Sequence, residues 1–104
     1  MRKNNRELNQ IKPKIVKILK KYGIKKAGIF GSYAHGAQKK RSDIDILILP
    51  PKGMGIEFFG LNLELEEKLG KKVDLVSYNG LSKYLKGYIL KEEVRILWRM
   101  IWSL

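Results

Sequence analysis

Gly31-Ser32-Tyr33-Ala34-His35-Gly36 is followed, across the basic link Lys39-Lys40-Arg41, by Ser42-Asp43-Ile44-Asp45-Ile46-Leu47-Ile48. A glycine-serine turn thus precedes two aspartates separated by one isoleucine. Backbone N–H groups at a strand-to-helix turn favour anions, and clustered carboxylates favour a divalent cation. The apolar run Lys26-Ala27-Gly28-Ile29-Phe30 ends at Gly31 and predicts a buried strand, after which Ser32 is placed to cap a short helical turn through Ala37. From Asp43 to Leu49 the residues alternate. Ile44, Ile46 and Ile48 fall on one face of a strand, and Asp43, Asp45, Leu47 and Leu49 on the other. Residues two apart on a strand are ~7 Å apart along it, so the two carboxylates can converge on ions above that face. Aspartate is a poor strand former, and like charges side by side repel. Pro50-Pro51 ends the strand.

Outward from this centre, Leu8, Ile11, Ile15, Ile18, Leu19 and Tyr22 recur at three- and four-residue steps with lysines between them. They predict an amphipathic helix over about Asn9 to Tyr22, stopped by Gly23. Pro13 belongs in a first turn, which moves the expected regular start to near Lys12. Phe58, Leu61, Leu65 and Leu69 predict a second helix, stopped by Gly70, whose mostly acidic surface suggests no chemistry. Val73-Asp74-Leu75-Val76 reads as another short strand. Asp74 is a charged residue in its middle and joins Asp43 and Asp45 if the two strands are neighbours with matching faces. Ser77-Tyr78-Asn79-Gly80 reads as a turn. Leu81 or Ser82 then begins a helix carrying Leu85, Tyr88 and Ile89, with Gly87 weakening its middle. Residues 94–102 are apolar and aromatic, and the pattern leaves strand and helix both open.

Bulk properties narrow the class. A chain of 104 residues fits one compact domain over residues 1–104. It has no cysteine and one histidine, which excludes disulfides, thiolate zinc sites and histidine-rich metal sites. The start, Met1-Arg2-Lys3-Asn4-Asn5-Arg6, leads into no apolar region, and no apolar run approaches the roughly 20 residues of a membrane span. The expectation is a cytoplasmic protein with no membrane association. The net charge of +12, from 22 Lys+Arg against 10 Asp+Glu, favours acidic partners or is simply a solvated basic surface.

The order helix, strand, Gly-Ser turn, Asp-x-Asp strand, helix, strand with a lone aspartate resembles the DNA polymerase beta-like nucleotidyltransferase superfamily. Taken over roughly Ile11 to Trp98, the chain is similar to the minimal nucleotidyltransferases of prokaryotes, the antitoxins of HEPN toxin pairs. That resemblance implies an α/β (α+β) fold: a small mixed sheet with helices mainly on one face and a nucleotidyl-transfer site at its rim. It implies that Gly31 and Ser32 bind the triphosphate, that Asp43 and Asp45 hold two Mg²⁺ ions, and that Asp74 completes the second ion site and helps activate the attacking hydroxyl. It further implies transfer of AMP from ATP to a tyrosine hydroxyl of a partner HEPN toxin, with the acceptor presented by another protein. Many relatives carry arginine where this chain has His35, a weaker phosphate partner that Lys39, Lys40 or Arg41 could replace. Two other functions stay open at this point. One is a catalytically idle fold that inhibits its partner by binding; the other is a nucleotidyltransferase acting on RNA. The second is disfavoured because Tyr22, Phe30, Phe58 and Phe59 fall at core-like or strand-end positions rather than on an exposed stacking platform.

Overall fold

Leu8, Ile15, Ile18 and Leu19 are all buried, and they line one side of α1 (Arg6–Lys21). The computed structural model describes residues 5–98. Helix α1 begins earlier than the proline suggests, and Pro13 lies inside it rather than in its first turn. The reason is the anchoring of the upstream turn. The Asn5 side chain caps it by accepting from Leu8 N–H at 3.2 Å, and Leu8 is buried. An N-cap contributes about 1 kcal/mol and a buried leucine about 1.5–3 kcal/mol. Together they offset the roughly 3 kcal/mol that an interior proline costs. Gly23, with φ 79°, turns the chain out of the helix as its position predicts.

Four strands follow: β1 (Lys26–Phe30), β2 (Ile44–Ile48), β3 (Val73–Ser77) and β4 (Val94–Trp98). They form one mixed sheet in the order β3-β2-β1-β4, with β2 antiparallel to β1, β1 antiparallel to β4, and β2 parallel to β3. Residues 94–98 are therefore strand, and the rest of the 94–102 segment lies outside the described residues. Trp98, in a strand, pairs with Lys26.

The register decides the two faces. Ala27 pairs with Ile48, Ile29 with Ile46, Ile44 with Val73 and Ile46 with Leu75, and all of these side chains are buried in one core. Helix α1 and helix α3 (Glu57–Leu69) pack there through Ile15, Ile18, Leu19, Leu61 and Leu65. The acidic residues of α3 do more than face water. Glu64 accepts hydrogen bonds from Lys21 and Tyr22 of α1, and Glu66 accepts from Val73 N–H at 3.0 Å, so they tie the helix to α1 and β3.

The opposite face carries Phe30 and Asp45 as one pair, Gly28 and Leu47 as another, and Asp45 and Asp74 as a third. Helix α4 (Lys83–Glu92) connects β3 at one edge of the sheet to β4 at the other. A 3₁₀ turn, Tyr78–Gly80, precedes it. Tyr88 does not belong to a buried face of this helix, being 69% exposed.

Candidate active site

The short helix α2 (Ser32–His35) joins β1 to the loop before β2. Its N-cap is Gly31, with φ 71° and no side-chain cap bond, so Ser32 is the first helical residue rather than the cap. Gly36 closes the helix in the left-handed region at φ 69°. Two constraints make residue 31 a glycine. Its φ is one that side chains rarely adopt, and a Cβ there would collide with Asp45 Oδ2. The turn and the carboxylate are in direct apposition.

Helix α2 is held from below by side chains that sequence reading passed over. Tyr33 is fully buried, and its hydroxyl donates to Glu7 Oε2 at 2.8 Å. Asn5 Nδ2 donates to the Tyr33 carbonyl at 2.7 Å, and Gln38 Nε2 donates to Asn5 Oδ1 at 2.7 Å. Lys71 lies over the Tyr33 ring at 5.7 Å and donates to the Lys40 carbonyl at 2.9 Å. The start of α1 is thereby clamped to the Gly31–Gly36 turn. Capping residues such as Asn5 have a sequence signal, but Pro13 drew the expected helix start past it.

Because β2 and β3 are parallel and in register at Asp45 and Asp74, both carboxylates stand on one face, side by side. Asp43 lies two residues before Asp45, just ahead of the first strand residue, and is exposed. The consequence is electrostatic. Asp45 titrates at about 6, raised first by burial, then by the charge of Asp74, then by that of Asp43, with a hydrogen bond to Asp74 adding to the effect. Three carboxylates have been gathered where their mutual repulsion is felt.

A divalent cation relieves that repulsion, and the donor set consists of hard carboxylate oxygens, the kind Mg²⁺ takes. Among the described residues no three carboxylate or imidazole side chains form a ready-made cage. Mg²⁺ is commonly held by one or two carboxylates with phosphate oxygens and water completing its shell, so an open cluster suits it. The residues fit the ion together with a nucleotide.

A second feature lies on the same face. Glu93 has a side chain only 2% exposed, and it accepts a hydrogen bond from the Tyr78 hydroxyl at 2.6 Å. Burial and this carboxylate push the Tyr78 phenol well above its usual range. Both groups cover Gly28, where a side chain would collide with Glu93 Oε2. A glycine inside a strand marks close approach, and Gly28 was the available signal for this buried pair.

His35 Nε2 stands 3.4 Å from Glu92 Oε2 at the end of α4. The two residues line a cleft of about 670 Å³ together with Asn5, Ala34 and Lys91. Lys39, Lys40 and Arg41 are exposed in the loop that follows α2.

With the geometry in place, comparison with known proteins is decisive about kinship. The family model described as polymerase beta nucleotidyltransferase matches residues 13–100. The chain belongs to that family. This nucleotidyltransferase is 50% identical over 91 residues to a Methanocaldococcus jannaschii protein named provisionally as a protein adenylyltransferase, MJ0435, covering 86% of this chain and 98% of that one. It is 35% identical over 80 residues to the protein adenylyltransferase MntA of Thermococcus cleftensis, covering 73% of this chain and 78% of the relative. Among solved structures, a toxin–antitoxin complex with AMP-PNP superimposes with a TM-score of 0.76 at 28% identity, covering 86% of this chain and 74% of that one. A structure described as a minimal nucleotidyltransferase gives 0.77 at 29% identity, covering 88% and 95%. The fold is the polymerase-beta-like one, and the protein is an enzyme of the nucleotidyltransferase class. Among the described residues, no helix is long and apolar enough to cross a membrane.

Proposed function

We propose that this nucleotidyltransferase is an antitoxin that transfers AMP from ATP, with Mg²⁺, to a tyrosine hydroxyl of a partner HEPN toxin. The observation that carries the reading is the register of Asp45 with Asp74 beside the Gly31 turn, with the charge of Asp43 also felt at Asp45. The names of the sequence relatives support a protein acceptor, and the AMP-PNP complex of a structural neighbour supports an adenine nucleotide.

In this reading Gly31 and Ser32 receive the triphosphate through backbone N–H groups and the serine hydroxyl. The first N–H groups of a helix have no partner within it and suit phosphate oxygens. Asp43 and Asp45 would hold two Mg²⁺ ions, and Asp74 would complete the second site. Bound there, the ions would neutralise the negative charge that develops during the transfer. Asp74 orients the incoming hydroxyl and draws off its proton. The hydroxyl oxygen bonds to the α-phosphorus, the bond between that phosphorus and the bridging oxygen breaks, and pyrophosphate leaves. Positioning and charge dominate such transfers, so a small site on a rigid sheet suffices.

The test mixes the purified protein, a HEPN-domain protein from the same organism, ATP and Mg²⁺, and reads the partner's intact mass. The expected result is a gain of one or more AMP groups, absent with Asp43→Asn. An unmodified partner that is nonetheless inhibited by the Asp43→Asn, Asp45→Asn double variant would show that contact alone does the work.

A further inference from the structure

The chain has five tyrosines, and the structure sorts them into two groups. The hydroxyls of Tyr22, Tyr33 and Tyr78 donate to Glu64, Glu7 and Glu93, at 2.8, 2.8 and 2.6 Å. The hydroxyls of Tyr84 and Tyr88 make no hydrogen bond among the described residues, and the two side chains are 94% and 69% exposed. They are four residues apart on α4 and so share one side of the helix. Lys83, Lys86 and Lys91 are exposed on the same ten-residue helix. Two exposed phenols thus stand among lysines on one helix.

The position of α4 matters as much as its composition. Tyr78 and Glu93 bracket the helix in sequence, and both cover Gly28. Gly28 pairs with Leu47, which shares its face with Asp45, so the chain enters and leaves α4 on the face of the aspartates. At the C-terminal end of the helix Glu92 meets His35 of α2. The helix is therefore held at its C-terminal end and through Tyr78 upstream of its start, with its two phenols exposed. Exposed to that degree, both phenols are open to another molecule.

We propose that Tyr84 and Tyr88 are themselves acceptors, modified with AMP by a second copy of this chain. This rests on the adenylyl-transfer reading above and adds a substrate to it. The phenolic oxygen of Tyr84 or Tyr88 bonds to the α-phosphorus of ATP in the other copy's site. The bond from that phosphorus to the bridging oxygen breaks, pyrophosphate departs, and the phenolic proton passes to the carboxylate cluster and then to water. Each event places a phosphodiester anion on a helix that otherwise carries an excess of lysine, and so weakens the attraction of that surface for acidic partners.

The experiment uses the full chain with ATP and Mg²⁺ and no partner, read by intact mass and peptide mapping. The expected result is an AMP adduct confined to Tyr84 and Tyr88 and lost in the Tyr84→Phe, Tyr88→Phe double variant. Both side chains are exposed, so the double variant folds, and it should still label the HEPN partner. Mixing it with the Asp43→Asn protein should place the adduct on the latter, which cannot label itself. An Asp43→Asn chain that stays unlabelled in the mixture overturns the proposal. So does an unmodified chain whose HEPN partner is labelled in a parallel reaction, and that outcome leaves the adenylyl-transfer reading intact. Failure of both reactions overturns both readings. Salt-sensitive binding of single-stranded RNA that is lost in Tyr84→Ala, Tyr88→Ala, with no adduct formed, would assign the face to base stacking instead.

Discussion

Asp45 Oδ2 stands where a side chain on residue 31 would have to be, so the turn at Gly31 and the carboxylate on β2 are fitted to each other. Replacing Gly31 by alanine meets two obstacles at once: a φ of 71° that alanine tolerates poorly, and a collision with Asp45. The backbone strain alone is about 1 kcal/mol, and displacing Asp45 adds to it. Gly31→Ala is expected to lower stability by about 1–3 kcal/mol. It should also reduce AMP transfer at least ~100-fold, since small displacements in a positioned site are costly. Thermal melts and the transfer rate check both halves. Wild-type transfer in Gly31→Ala would detach the turn from the chemistry.

The titration of Asp45 makes a signed prediction. Its pKa is raised from 3.8 to about 6 in the folded protein, so the folded state holds this proton more tightly than the unfolded state does. Above pH ~6 the ionised carboxylate is a full burden on the fold, and the burden is relieved as pH falls through that value toward 3.8. Asp45→Asn should therefore raise the melting temperature of the metal-free protein near pH 8 and have little effect near pH 4. Mg²⁺ with a nucleotide should stabilise the wild type more above pH ~6 than below it, and should not stabilise Asp45→Asn. Melting curves across pH, with and without Mg²⁺, decide this.

Much of this site was legible in the chain, and the reasons are local. Alternation from Asp43 to Leu49 sorted isoleucines from aspartates by face, and the lone Asp74 inside an apolar strand invited a partner. Neighbouring strands with matching faces were a condition in sequence terms; the register of Asp45 with Asp74 fulfils it. What the sequence concealed were interactions over long separations. Nothing near Tyr33 announces that its hydroxyl reaches Glu7, 26 residues away, or that Asn5 holds its carbonyl. The helix start was misplaced because Pro13 carries a strong local rule, which the burial of Leu8 and the Asn5 cap override. Tyr84 and Tyr88 drew no attention as a stacking or acceptor surface because helical spacing alone does not tell a buried tyrosine from an exposed one.

Pro13 supplies a third prediction. It is exposed and lies in the interior of α1. Pro13→Ala restores a backbone donor and should stabilise the protein by about 1–3 kcal/mol. AMP transfer should be unchanged, because the residue is remote in sequence from the turn and the aspartates. A denaturant melt reads the first effect and a transfer assay the second.

The Tyr78–Glu93 pair supplies a fourth. Tyr78→Phe removes the hydrogen bond that Glu93, whose side chain is 2% exposed, accepts from the Tyr78 hydroxyl. A buried acceptor stripped of its donor costs about 1–3 kcal/mol. Adding Glu93→Gln removes the stranded charge and should recover part of the loss. Equal instability of the single and double variants would mean that packing over Gly28, rather than the hydrogen bond, matters there.

The most direct test of the central claim is the mass of the HEPN partner after incubation with this protein, ATP and Mg²⁺, set beside the same reaction with Asp43→Asn, Asp45→Asn and Asp74→Asn. The account predicts AMP adducts on a partner tyrosine with the wild type and none with any of the three variants. A partner that stays unmodified with the wild type, or that is labelled equally by the variants, would contradict it.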